Sequence, residues 1–107
     1  MAIDFDDTVL VASIDTVLSG VLGEVYRDSI YLDLLNRFSV AKENLPQNLV
    51  ILSQVLEENF GQITTKAIAK AIAKHFYSQL GINFIDNGEL SLENYIAYLK
   101  NLKTQKS

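Results

Sequence analysis

The sequence predicts an all-α protein, a compact bundle of about five helices. Apolar residues recur at three- and four-residue intervals through most of the 107 residues, which is the spacing of one helix face. Hydrophobic residues make up 49% of the chain and charged residues 21%, a balance typical of a chain that buries a core. No break in composition divides the chain, so we interpret residues 1–107 as a single helical domain.

The first two predicted helices are separated by glycines. The first extends from about Asp6 or Asp7 to Leu18, and its apolar sector is wider than contact with one neighbouring helix requires. Gly20 and Gly23 are both expected to interrupt the helical path. The second covers residues 24–38, and its inner face repeats every four residues: Tyr26, Ile30, Leu34 and Phe38.

The middle of the chain contains a predicted loop and two further helices. Residues 39–45 form the loop, and Pro46 suits the first turn of a third helix that ends at Phe60. Gly61 then fits the position just after a helix end. Gly81 ends the fourth predicted helix. That helix is marked by an apolar row spaced by four residues: Ile68, Ile72, Phe76 and Leu80.

The fifth predicted helix lies at the C-terminal end of the chain. A connector over residues 82–89 precedes it and contains a predicted turn at Asp86-Asn87-Gly88. The helix is expected over residues 91–103, with Ser91 as its N-cap. Its apolar residues follow the three-four-three spacing of a coiled-coil seam, with one more alongside: Leu92, Tyr95, Leu99, Leu102 and Ile96.

The predicted apolar surface exceeds what one small bundle covers. The first and fifth helices carry the surplus, and a monomer of this size would expose a larger apolar patch than is usual. A two-fold symmetric homodimer is the commonest way to cover such a patch. We therefore predict a homodimer with an interface on one or both of these helices. The residues expected in it are Leu10, Ile14, Leu92, Tyr95, Ile96, Leu99 and Leu102.

Charge is distributed unevenly along the chain, whose formal net charge is −4. Residues 1–61 carry ten acidic and three basic side chains, whereas residues 62–107 carry three acids and six lysines. An acidic chain disfavours nucleic-acid binding. Lys66, Lys70 and Lys74 nevertheless form a row at four-residue spacing, opposite the apolar row of the fourth helix. Two interpretations stay open: a solvated helix face, or a contact with nucleic acid or an acidic partner.

Few residues offer catalytic or metal chemistry. Cysteine is absent and His75 is the single histidine, which excludes a thiol nucleophile and Cys-ligated metal sites. Residues 83–94 contain the glycine of a calcium loop but lack two of its carboxylates. His75 fits either a boundary position with a backbone or tyrosine partner, or a phosphorelay. We therefore predict no enzyme activity, no cofactor and no bound metal.

The expected location is the cytoplasm. The densest apolar stretch, residues 49–56, is far shorter than the ~20 residues that a membrane-spanning helix needs. The chain also opens with acidic residues, where a signal peptide has a basic start.

Short stretches of the first four predicted helices are similar to a known family. They are Leu18-Ser19-Gly20-Val21-Leu22-Gly23-Glu24, Ile30-Tyr31, Asn44-Leu45-Pro46, Asn59-Phe60-Gly61 and Leu80-Gly81. Over residues 5–82 the chain resembles the fifth type of the thaumarchaeal "Nitrosopumilus output domain" family, small helical modules attached to sensor domains in archaeal signalling proteins. Two departures from the family are expected: a module without an attached sensor domain, and the addition of residues 82–102.

The resemblance implies a helical, non-enzymatic output or interaction module with no catalytic residues to carry over. The predicted function is accordingly a protein–protein interaction or signalling output module. A small nucleic-acid-associated transcriptional regulator that uses the Lys66, Lys70 and Lys74 row is the alternative. A sensor that binds a small ligand between its helices is the third hypothesis.

Overall fold

The computed structural model describes residues 5–84 and 90–105, and this part of the chain is an all-α bundle, as predicted. Its radius of gyration is 13.4 Å, close to the ~13 Å of a compact domain of about 100 residues. A 3₁₀ helix spans Lys42–Gln47. The α-helices of the described part are α1 (Phe5–Leu22), α2 (Glu24–Phe38), α3 (Leu49–Gln79) and α4 (Leu92–Gln105).

Helix α1 packs against three other elements of the bundle. It contacts α2, α3 and the 3₁₀ helix. Leu10, Ile14 and Leu18 are fully buried, so its wide apolar sector is covered by several neighbours within the same subunit. The sequence predicted a surplus of uncovered apolar surface on this helix, and that surplus is absent for these residues because three neighbours cover them.

The bend between α1 and α2 occurs at Gly23 alone. Gly20 continues the helix, and α1 extends to Leu22, four residues beyond the predicted end at Leu18. Gly23 adopts φ 88° and ψ 160°, a backbone conformation that residues with a Cβ rarely adopt. The expectation that both glycines interrupt the path was thus correct for Gly23 and wrong for Gly20.

The predicted loop after α2 is partly helical. Pro46 lies inside the 3₁₀ helix and not in the first turn of α3, which begins at Leu49. Leu45 is fully buried, so this connecting segment is held against the core by its own side chain. The Asn48 side-chain amide donates to the Asn44 carbonyl at 2.8 Å, which closes the segment just before α3.

Gly61 divides α3 into two arms, residues 49–60 and 62–79. Its φ of 82° and ψ of 173° lie outside the helical region, so the predicted helix end at this glycine is confirmed. The second arm begins at once, without a loop, and corresponds to the fourth predicted helix. Its inner row, which includes Ile68, Ile72 and Phe76, is buried in the core as expected.

Helix α4 packs against α3 and corresponds to the fifth predicted helix. The Asn94 amide donates to Ser91 Oγ at 3.3 Å, which confirms Ser91 as the N-cap. The Phe84 ring contacts the rings of Tyr77 and Tyr95, with centroids 5.3 and 5.6 Å away. The Tyr77 hydroxyl donates to the Tyr95 carbonyl at 2.8 Å, so the junction is both apolar and hydrogen-bonded. The turn predicted over residues 86–88 falls outside the described residues.

Within residues 5–84 and 90–105, no helix combines the length and the hydrophobicity that crossing a lipid bilayer requires.

We expect Gly61→Ala to destabilise the fold by about 1–3 kcal/mol, because a Cβ at this φ and ψ strains the backbone. Gly20→Ala is the matched control: it lies in α1 with open space where a Cβ would project. It should be neutral or stabilise by up to about 1 kcal/mol, since alanine favours a helix. Denaturant unfolding followed by circular dichroism measures both. Equal effects of the two substitutions would contradict the assigned conformation of Gly61.

Candidate interaction surfaces

The residues predicted for a dimer interface are core residues of a single subunit. Those on α1 and α4 whose side chains the structure describes are no more than 4% exposed: Leu10, Ile14, Leu92, Tyr95, Ile96 and Leu99. The Leu102 side chain lies outside the described residues. Because these six side chains are covered within the subunit, the placement of an interface on them was wrong. Any interface between subunits must use other residues.

A polar network fixes α2 and the 3₁₀ helix on α1. The Asp15 carboxylate accepts a hydrogen bond from the Tyr31 hydroxyl at 2.9 Å and lies 3.1 Å from Lys42 Nζ. Arg27 Nη1 is 3.5 Å from the second Asp15 oxygen and donates to Ser19 Oγ at 2.6 Å. Three donors from two neighbouring segments thus converge on one acidic side chain of α1, which determines the rotation of α2 about its axis.

The network changes the ionisation of its members. Partial burial works to raise the pKa of Asp15, but hydrogen bonds from Tyr31 and Lys42 and the charge of Arg27 outweigh it, so that the pKa lies below its ordinary value. Burial and the hydrogen bond to Asp15 raise the pKa of Tyr31. Asp15 is therefore held as a carboxylate and Tyr31 as a neutral hydrogen-bond donor. Their contact serves to hold α2 against α1.

His75 has a partner that sequence reasoning missed. Its Nδ1 forms a 2.9 Å hydrogen bond with Ser13 Oγ, whereas the sequence suggested a backbone or tyrosine partner. Ser13 is fully buried in α1, so its hydroxyl is closed to an incoming substrate. The pair therefore fits a polar contact between α1 and α3. Ser13 and His75 are 62 residues apart, and no local signal connects them.

The outward side of α2 carries large apolar residues. Val25, Leu32 and Leu35, which we call the α2 face, are 51–82% exposed. Tyr26 is also exposed and lies edge-on to the Phe60 ring at 6.3 Å. On the opposite side of α2, Ile30 and Leu34 are buried. The helix thus has two apolar rows, of which only one contacts the core.

The α2 face follows a seam that sequence reasoning overlooked. Val25, Asp28, Leu32 and Leu35 are spaced three-four-three, the interval of helices that pack side by side. Asp28 is the polar member and its carboxylate bonds to Arg27 at 2.9 Å. The signal was present in the sequence as a second row beside the Tyr26, Ile30, Leu34 and Phe38 row. A helix at the edge of a bundle needs only one apolar row to pack against the core, so the second row is available for another contact.

The predicted lysine row lines a groove on the second arm of α3. Lys66, Lys70 and Lys74 border it, together with Ile63 and two alanines, and all the lining residues belong to this one arm, so the groove is a shallow furrow between two rows of side chains on a single helix face. The structure therefore brings the three predicted basic residues together along one side of a helix.

No family model, curated protein or solved structure matches this chain. The similarity to the output-domain family stays a prediction from the sequence. In the ranges 5–84 and 90–105, no three His, Asp or Glu side chains converge in a way that could hold a metal ion. The interaction surfaces are thus the candidate sites on which a proposal can be based.

We expect Asp15→Asn to destabilise the fold by about 1–2 kcal/mol at neutral pH, because the neutral amide loses the ion pairs with Arg27 and Lys42 and accepts weaker hydrogen bonds than a carboxylate. The folded-state pKa of Asp15 is below its unfolded value. Its contribution is therefore fully present above about pH 4 and is lost as the pH falls through the folded-state pKa.

Denaturant unfolding of the wild type and the variant at several pH values measures this contribution. The difference in unfolding free energy should shrink toward zero in acid. Glu57→Gln, at an exposed acidic position on α3, is the control and should change stability by less than about 0.5 kcal/mol. A deficit in Asp15→Asn that stays constant down to strongly acid pH would contradict the role of the carboxylate charge.

Proposed function

We propose that this chain is a non-enzymatic helical interaction module that forms a homodimer through the α2 face. The observation that carries the proposal is the concentration of exposed apolar side chains on α2 and at the end of α1. Of the eight large hydrophobic residues exposed in the described part of the chain, five lie between residues 21 and 35: Val21, Val25, Tyr26, Leu32 and Leu35. Patches of this kind mark surfaces that bind protein.

The charges around the α2 face support this proposal. Arg37 bonds to Asp33 at 2.8 Å and also pairs with Glu58 of α3. Arg27 is engaged by Asp15 and Asp28. The cations beside the seam are therefore neutralised within the subunit, which lowers the cost of removing water from the apolar residues between them. An apolar centre with a polar border is the usual anatomy of a protein interface.

A symmetric contact suits the shape of this surface. Helix α2 has 15 residues and is therefore about 22 Å long. In an isologous dimer the same surface is used on both copies, so the seam of one α2 would lie along the seam of the other. Side-by-side packing of two such helices covers Val25, Leu32 and Leu35 on each copy.

The proposal includes a signalling role in the cytoplasm. This part rests on the sequence similarity of residues 5–82 to output domains of archaeal signalling proteins. A module of that type passes a signal by contact with protein, and the α2 face offers a surface of the required kind. The buried Ser13 and the occupied Asp15 carboxylate are consistent with a module that performs no chemistry.

Leu32→Asp should convert the dimer to a monomer, because two carboxylates would be buried at the seam without partners. Sedimentation velocity at micromolar concentration measures the change. The wild type should sediment at about twice the 12.0 kDa chain mass, and the variant at the chain mass, with an unchanged helical circular dichroism spectrum.

Val50→Asp is the matched control, since Val50 lies on α3 and is 59% exposed, against 58% for Leu32. It should remain a dimer. Leu99→Asp is unsuitable for this purpose because Leu99 is buried, and its substitution should unfold the subunit. A wild type that sediments as a single monomeric species, or dissociation by Val50→Asp alone, would refute dimerisation through α2.

A further inference from the structure

We propose that the groove on the second arm of α3 binds an acidic amphipathic helix of a partner protein. This surface uses residues different from those of the α2 face, so the inference goes beyond the homodimer and does not depend on it. The groove is a shallow furrow between two rows of side chains on this single arm and runs along residues 62–74. One row of it is cationic and the adjacent row is apolar.

The cationic row has the repeat of a helix. Lys66, Lys70 and Lys74 follow one another at four-residue steps, so each step advances about 6 Å along the axis. Carboxylates at the same steps on a second helix have an identical repeat. A partner helix that lies along the groove would therefore place several acidic side chains opposite several lysines at once, in parallel or antiparallel orientation.

The apolar row has the same repeat and lies beside the lysines. It consists of Ile63, Ala67 and Ala71. Ile63 is 87% exposed, the highest value among the exposed large hydrophobic residues described. The two alanines are small, so a second helix backbone can approach to the close end of the 8–10 Å that separates packed helices. An amphipathic partner would cover Ile63 with its own apolar row.

The chemistry of the groove favours a protein helix over a nucleic acid. Phosphate contacts need cations but no adjacent apolar row, and sequence recognition on DNA uses Arg, Asn or Gln, whereas the row here contains only lysines. Lys66 and Lys70 also interact within the chain, so a partner carboxylate would add to those contacts or replace them. The combination of lysines with Ile63 and the alanines matches an acidic helix whose two rows are adjacent.

A pair of synthetic helical peptides tests the proposal by fluorescence anisotropy with the full-length chain. The first has glutamates at every fourth position and leucines in the adjacent row, over about five turns. The second has the same composition with the two rows on opposite faces. The first should bind at least about tenfold more tightly than the second, because only its two rows reach both sides of the groove together.

Variants of the chain locate the binding site. Replacing Lys66, Lys70 and Lys74 together by Gln should weaken binding of the first peptide at least about tenfold. Replacing Lys100, Lys103 and Lys106 by Gln makes the same change in net charge with three lysines from the C-terminal part of the sequence, and should leave binding within about twofold. Ile63→Ser, at the most exposed position of the apolar row, should weaken binding about threefold or more without altering the charge.

Circular dichroism establishes that each variant is folded, and Ile63→Ser decides the matter if the triple lysine variant is not. Equal affinity for the two peptides, no binding of either, or binding that survives both groove variants would each overturn the proposal.

An oligonucleotide, single-stranded or duplex, is the third probe. If it binds in preference to the first peptide and is lost in the Lys66, Lys70 and Lys74 variant, the groove is a nucleic-acid site and the proposal fails. Sedimentation velocity on the same variants measures whether they remain dimers. A loss of peptide binding in a variant that is still a dimer concerns the groove alone and leaves the proposal for the α2 face untouched.

Discussion

The burial of α1 between its neighbours determines which surfaces of the molecule remain available. Leu10, Ile14 and Leu18 project in directions that α2, α3 and the 3₁₀ helix together cover. The elements around α1 therefore pack their inner apolar rows against this helix. Helix α2 contributes Ile30 and Leu34 to this core. Its second apolar row must then point outward, because the first is fully engaged.

The orientation of α2 about its own axis decides which of its apolar rows is buried and which is exposed. Tyr31 and Arg27 both reach Asp15 on α1, and they lie on the side of α2 that faces the bundle. If α2 turned about its axis to bury Val25 and Leu32, these two donors would lose the carboxylate. The polar contact of partly buried groups thus favours the same orientation of α2 as the burial of Ile30 and Leu34. The hydrogen bonds to Asp15 are directional and are made in one orientation of α2, whereas the stability comes mainly from the apolar area that is buried.

The sequence predicted the features that depend on local backbone chemistry. Gly23 and Gly61 interrupt helices because they adopt positive φ, and Ser91 caps α4 with its own hydroxyl. The 3₁₀ helix was missed because its position follows from burial of Leu45, a tertiary contact. The predicted interface was wrong because a wide apolar sector is equally compatible with a central helix and with an exposed one. The lysine row was found from its spacing alone, whereas the α2 face was visible as a three-four-three interval and was overlooked.

The aromatic cluster between α3 and α4 gives the molecule an optical property of its own. The chain lacks tryptophan, so its near-ultraviolet signal comes from tyrosine and phenylalanine. Tyr77 and Tyr95 are enclosed around Phe84, and the Tyr77 hydroxyl is bound to a carbonyl, whereas Tyr26 on α2 faces solvent. Release of α4 would expose Tyr77 and Tyr95 to water, so a change in tyrosine absorbance and emission monitors the attachment of the C-terminal helix without any label.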